Sequence, residues 1–303
     1  MNMHSMGATL YVPATHADLL AIADGNKLGH LRSIIFCTED AVADRELSYA
    51  LFNLSLTLQN MVARTGTLRF VRVRNPEVLA RVLAMPGVEK LTGFVLPKAT
   101  RHNFEAYFKQ VRQSAFKLMP TLETVEVFDD AEMTQFRQLL EAPGVRNHIL
   151  CLRIGGNDLL ALLGLRRPRH GTIYRTPLGP VIARLVTTFR PYGFALTAPV
   201  FEYLDNPVLL DQEVQEDLAY GMIGKTAIHP DQVGLIERHY QVGAQDIEVA
   251  MKIVDEASPA VFKMHDAMCE VATLSGWAHR VIEQARVFGV QSAAQTAQGQ
   301  ATE

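Results

Sequence analysis

The sequence predicts an α/β protein, a (β/α)8 or TIM barrel with an additional C-terminal helical segment. Three observations carry this. Eight short apolar, β-branched runs recur along the chain before residue 235. Segments of helical pattern lie between them, an alternation that implies a parallel sheet. The alternating portion is also close to the ~250 residues that eight βα units need. A doubly wound open sheet is the runner-up.

The strand candidates in order are "ATLYVPA" (8–14), "SIIFCTED" (33–40), "LRFVRVR" (68–74), "KLTGFVLPK" (90–98), "KLMPTLET" (117–124), "HILCLRIGG" (148–156), "GFALTAPV" (193–200) and "AYGMIGKTAIHP" (219–230). Two of the intervening helices show their spacing plainly. Leu51, Leu54 and Leu58 recur at helical period, as do Phe104, Phe108 and Val111. After the barrel, residues 244–257 and 258–289 both read as helical, with Pro259 between them. The predicted organisation is a barrel over 1–235, a helical extension over 236–290, and a small, polar, disordered tail over 291–303.

Composition narrows the function classes. Hydrophobic residues at 48% and charged residues at 20% are those of an ordinary globular protein. A formal charge of −3 gives no reason to expect a nucleic-acid partner. The three cysteines, Cys37, Cys151 and Cys269, form no CxxC pair, which points to a reducing compartment without a disulfide framework or zinc site. The first residues lack a secretory pattern and no window is apolar enough to span a membrane, so a cytoplasmic location is the expectation.

In a barrel the site lies where the strands end, and strand side chains alternate between lumen and helix layer. In "LRFVRVR", Val71 and Val73 share the helix-facing side, while Phe70, Arg72 and Arg74 face the lumen. In "KLMPTLET", Leu118, Pro120 and Leu122 face the helices and Glu123 points the other way. In "SIIFCTED", Glu39 follows Ile35 and Cys37 inward, and Lys98 ends the fourth strand. Asp158 in "GGNDLLALLG" admits two readings, an N-cap of the following helix or a carboxylate set at a strand end. Glu123 and Asp158 end adjacent strands and would complete the oxygen shell of Mg²⁺, which takes one or two protein carboxylates with water and substrate. Such an ion polarises a carbonyl or holds an enolate, and an arginine beside it clamps a substrate carboxylate.

Six segments in order extend this reading: "EDAV" (39–42), "VRVRN" (71–75), "GFVLPK" (93–98), "LET" (122–124), "GGNDL" (155–159) and "GKTAIHPDQV" (224–233). Through them the chain resembles the citrate lyase β-subunit and HpcH/HpaI aldolase superfamily. It looks nearest to the C–C bond lyase-like branch associated with tellurium-resistance clusters. The resemblance implies a TIM barrel with Mg²⁺, or Mn²⁺ in its place, held by Glu123 and Asp158. It places the substrate arginine at Arg72 and the acidic pair of the active centre at Glu39 and Asp40. Arg74, Lys98, Lys225 and His229 are the further substrate-binding candidates. It also implies a homo-oligomer, a trimer or hexamer.

The chain departs from the family pattern at Cys37, Asn157 and Ala198, where acidic residues are usual, and this weakens the case for a CoA thioester. The leading expectation is a metal-dependent C–C lyase or aldolase acting on a small carboxylate-bearing 2-oxo or 3-hydroxy acid or its thioester. A hydroxyacyl thioester hydrolase and a non-catalytic binding barrel are the alternatives.

Overall fold

The structure is a computed structural model that describes residues 6–63 and 66–291. Apart from Gln291, the tail expected to be disordered lies outside the described residues. The chain divides into two compact units, one to Leu235 and one from Ile236 on.

The first unit holds one parallel sheet. Its strands are β1 (Gly7–Pro13), β2 (Ser33–Cys37), β3 (Leu68–Arg72), β4 (Gly93–Leu96), β5 (Lys117–Leu122), β6 (Leu152–Ile154), β7 (Leu196–Thr197) and β8 (Gly224–Ala227). Neighbours run in the order β7-β6-β5-β4-β3-β2-β1-β8. The two ends of this series also meet. The Ala198 amide donates to the Gly224 carbonyl at 2.8 Å and the Ile223 amide to Leu196 at 2.9 Å. The sheet therefore closes on itself and presents no edge. One close approach depends on a glycine: a Cβ at Gly93 would sit 1.8 Å from the Lys117 carbonyl oxygen, so no side chain fits between β4 and β5 there.

The helices are α1 (Leu19–Ala23), α2 (Leu47–Asn60), α3 (Pro76–Leu83), α4 (Phe104–Val111), α5 (Asp130–Glu141), α6 (Gly156–Leu162), α7 (Leu178–Phe189), α8 (Pro207–Ala219) and α9 (Pro230–Glu237). The expected leucine and phenylalanine spacings are the buried faces of α2 and α4. Several start on a strong cap. Asn75 accepts the Val78 amide at 2.8 Å ahead of Pro76, and Asp129 accepts the Ala131 amide at 2.7 Å. Such caps fix where each βα loop ends, and the loops carry the site.

In the second unit α10 (Ala244–Val254) packs on α11 (Val271–Phe288) through Ala250, Ile253 and Ala278, with Leu274, Trp277 and Val281 around them. Residues 258–270, expected to be helical, instead contain a hairpin of β9 (Val261–Met264) and β10 (Ala267–Glu270). The reason is local. His265 and Asp266 both take positive φ, 45° and 59°, which is the two-residue turn that matches strand twist. Pro259 also prevents a helix from running through.

Candidate active site

A cavity of about 290 Å³ opens at the C-terminal ends of the strands, at the low end of the ~300–1,000 Å³ usual for ligand pockets. Arg72, Glu123, Asp40 and Asp158 line it, together with Tyr11, Cys37, Thr121, Arg153 and Thr226. The inward parity expected for β2, β3 and β5 holds, since Cys37, Arg72 and Thr121 all face the cavity.

Arg72 is the hub. Its Nη2 lies 2.9 Å from Glu39 Oε2 and 3.1 Å from Glu123 Oε1, and its Nη1 lies 3.1 Å from Asp40 Oδ2. Its Nε is buried and has no partner among the described residues. Burial works against the charge, but the surrounding Glu123 and Glu39 carboxylates outweigh it and hold the guanidinium more firmly protonated than usual. Lys98 joins the same network from the turn after β4, with Nζ at 3.0 Å from Glu39, 3.8 Å from Asp40 and 3.4 Å from Asp158. Its backbone takes φ +49°, a left-handed conformation that is strained for a lysine. That turn aims the Lys98 amide at Glu123 Oε1, 2.8 Å away.

Glu123 is 4% exposed. Its Oε1 accepts from both Arg72 and the Lys98 amide. Oε2 lies against Gly155, where a Cβ would come within 2.2 Å of it, so the first glycine of "GGND" is the space the carboxylate occupies. Burial pushes the Glu123 carboxyl up, opposed by Arg72. Asp158 is no helix cap: α6 starts at Gly156, and Asp158 sits in its first turn, partly exposed and turned to Lys98. Burial also pushes Glu39 up, whereas Asp40 is held below its usual range because Glu39, Arg72 and Lys98 outweigh burial. The pair is thus set apart in acidity, as in sites where one carboxyl carries a proton.

The donor set suits a hard divalent cation. Among the described residues no three His, Cys, Asp or Glu side chains form a metal cluster, but Mg²⁺ needs only one or two carboxylates beside water and substrate. Among the described residues, Glu123 Oε2 accepts no hydrogen bond and Asp158 is engaged by Lys98 alone. Four carboxylates share this network with Arg72 and Lys98, and among the described residues the cavity's acidic groups stay in excess even with Arg153 counted, a balance that favours a cation.

Three expected substrate contacts lie elsewhere. Lys225 is fully buried on the helix side of β8, with Nζ at 2.9 Å from both Glu213 and Asp217 of α8. Strand parity is the reason, because Thr226 takes the inward position. Ile228 still lines the cavity, but His229 after it lines a separate depression with Tyr203, Leu210 and Gln232. Its Nδ1 accepts the Asp231 amide at 3.3 Å. Arg74 does not line the cavity; its guanidinium binds the carbonyls of Thr38, Glu39 and Val42 and pairs with Asp44. It braces the loop that carries Glu39 and Asp40.

Sequence reasoning missed Tyr11 and Arg153. The Tyr11 ring lies between two guanidinium groups, with Arg153 at 5.4 Å and Arg72 at 5.9 Å from its centroid. The signal was present: Arg153 is a charge inside the apolar run "HILCLRIGG", two residues before Gly155 and therefore on the same inward face.

A family model described as C–C bond lyase of the TIM-barrel fold matches residues 1–290. No curated protein sequence matches the chain. Among solved structures, CitE from Mycobacterium tuberculosis, in complex with magnesium, acetoacetate and coenzyme A, superposes with a TM-score of 0.68 at 18% identity, covering 93% of this chain and 99% of its own. RipC from Yersinia pestis gives 0.61 at 19% identity, covering 81% and 100%. Malate synthase of Haloferax volcanii, as a lead(II) complex, gives 0.63 at 16% identity, covering 78% and 73%. At these identities the structural likeness is one of fold. The family match spans nearly the whole chain, and the chain belongs to the C–C bond lyase family of the TIM-barrel fold, a family of carbon–carbon lyases.

Proposed function

We propose that the protein is a Mg²⁺-dependent lyase that breaks or forms the C–C bond beside the carbonyl of a small 2-oxo or 3-hydroxy acid. The observation that carries this reading is Glu123. It is a buried carboxylate held by one oxygen, with the other left beside a glycine and near Asp158 in sequence-ordered strand ends. The magnesium and acetoacetate of the CitE complex support the same choice of ion and ligand class.

Glu123 and Asp158 would hold the ion, which when bound polarises a carbonyl and stabilises the negative charge that develops on it. The chain's own groups do the rest. Arg72 keeps Nη2 on Glu39 and Glu123, which fixes Glu123, and offers Nη1 to a substrate carboxylate in place of the half-exposed Asp40. Glu39, whose carboxyl is pushed up by burial, is placed to carry the proton, with Lys98 Nζ 3.0 Å away as its charge partner. Arg74 holds the Glu39–Asp40 loop in place from outside the cavity. The enclosed volume suits the small acid itself, and a thioester's nucleotide would lie outside it.

The test is a pair of variants. Glu123→Ala and Asp158→Ala are expected to abolish Mg²⁺-stimulated turnover of small 2-oxo and 3-hydroxy acids, with circular dichroism unchanged. Full activity in either variant rules the metal assignment out. Thermal shifts separate the alternatives. Stabilisation by Mg²⁺ with a 2-oxo acid supports the lyase, whereas stabilisation by CoA esters alone supports the thioester hydrolase. No response to any of them supports a binding barrel.

A further inference from the structure

Arg153 stands apart from the other charged groups of the cavity. It is 2% exposed and lines the cavity, yet no acidic side chain among the described residues pairs with it. Its Nη2 donates to Thr226 Oγ1 at 2.5 Å, and its Nη1 is buried without a partner. The ring of Tyr11 faces it at 5.4 Å, and the Tyr11 hydroxyl forms no hydrogen bond with the described residues. In register Arg153 sits between Thr121 of β5 and Thr197 of β7, whose hydroxyls are also buried without partners.

A hydroxyl, an aromatic face or a buried water can solvate a guanidinium, but none of them neutralises it. A buried charge without a counter-charge is costly, and proteins keep such groups where a ligand supplies the opposite charge. The cavity's own carboxylates are not available for this. Glu39, Asp40, Glu123 and Asp158 are all turned to Arg72 and Lys98. Arginine is also the side chain whose forked donors match a carboxylate.

We propose that Arg153, with the Tyr11 and Thr226 hydroxyls beside it, forms a second carboxylate subsite, so that the substrate is a dicarboxylate. Which end of that substrate reacts rests on the lyase site proposed above, but the subsite itself does not. Arg153 fixes the end away from the reacting carbonyl and thereby selects dicarboxylates over monocarboxylates.

Calorimetric titration of the metal-free protein with succinate and with propionate isolates the subsite from the metal. Succinate is expected to bind about ten-fold or more tightly than propionate. Arg153→Gln is expected to remove that preference and to weaken succinate binding about ten-fold or more. Arg153→Lys keeps the charge but loses the fork, and is expected to retain a reduced preference. Because Arg153→Gln deletes an unneutralised buried charge, its melting temperature should match or exceed that of the wild type. Equal binding of the two acids, no binding of succinate, or a preference indifferent to both substitutions would overturn the subsite. With Mg²⁺ present, 2-oxoglutarate against 2-oxobutyrate gives the second arm. Loss of any Mg²⁺ response with the succinate preference intact counts against the lyase site and supports the subsite. Mg²⁺-dependent binding of both 2-oxo acids that ignores Arg153→Gln does the reverse.

Discussion

The barrel contains two buried charge networks built from the same residue types. One surrounds Arg72 in the cavity. The other surrounds Lys225 behind β8, where Lys225, Glu213, Asp217 and Arg167 pair and the Tyr174 hydroxyl donates to Asp217 at 2.6 Å. The network behind β8 is closed: the Lys225, Glu213 and Asp217 side chains are at 0% exposure. The cavity network is open, with a half-exposed Asp40, a partly exposed Asp158 and an unpartnered Arg72 Nε. One step of strand parity separates them, since Thr226 faces the lumen and Lys225 the helices. A charged residue at a strand end therefore speaks of chemistry only after its face is known.

The largest expected difference is in turnover. Glu123→Gln retains the shape of the cavity network and removes a charge from the proposed metal site, so kcat is expected to fall by about 10³-fold or more. Urea melts should show little change. Substitution in the closed network should do the opposite. Lys225→Met leaves Glu213 and Asp217 buried without their shared cation, and a loss of about 3–5 kcal/mol in chemical denaturation is expected. The folded fraction should keep its Mg²⁺ affinity. If Lys225→Met cost activity but no stability, the division between the two networks would be wrong.

A pH series sharpens the contrast at an intermediate level. Burial pushes the Asp217 carboxyl up to about 6, with Lys225 opposing it. A folded-state value raised above the unfolded one gives stability that is complete below about pH 4 and lost as pH rises through about 6. Asp217→Asn is expected to flatten stability across that window in urea melts; an unchanged slope would assign it to another group. The smallest effect belongs to Arg74, which touches the cavity only through the Glu39–Asp40 loop. Arg74→Ala is expected to cost about 1 kcal/mol of stability and to raise KM several-fold with a smaller change in kcat. A kcat loss as large as that of Glu123→Gln would move Arg74 into the site.

Strand parity also decides how much of the fold and of the site is legible in the sequence. The eight runs are all strands, because β-branched residues bounded by turn residues at regular spacing have few other solutions. Arg72 and Glu123 face the lumen as the alternation predicts, with Val71 and Leu122 marking the helix side. Lys225 lies on the helix side of β8 and not at the cavity where it is expected, because "GKTA" has no large apolar residue to set the phase. Arg153 escaped notice because the run around it is apolar on both faces, as strands of a parallel barrel are. The hairpin at 261–270 was hidden because its turn is His265–Asp266 in place of the glycine that usually marks one. Asp158 was the reverse case: its capping role, plausible from "GGND", disappears once α6 is seen to start two residues earlier.

The central claim is that Glu123 and Asp158 hold a divalent ion beside Arg72. Crystals soaked with Mn²⁺ and pyruvate test it most directly, through the anomalous signal of the metal. The expected result is one strong peak within about 2.2 Å of an oxygen of each carboxylate, with pyruvate completing the shell and its carboxylate on Arg72. An empty cavity at saturating Mn²⁺, or a peak held by other residues while Glu123 stays on Arg72 and Lys98 alone, would contradict it.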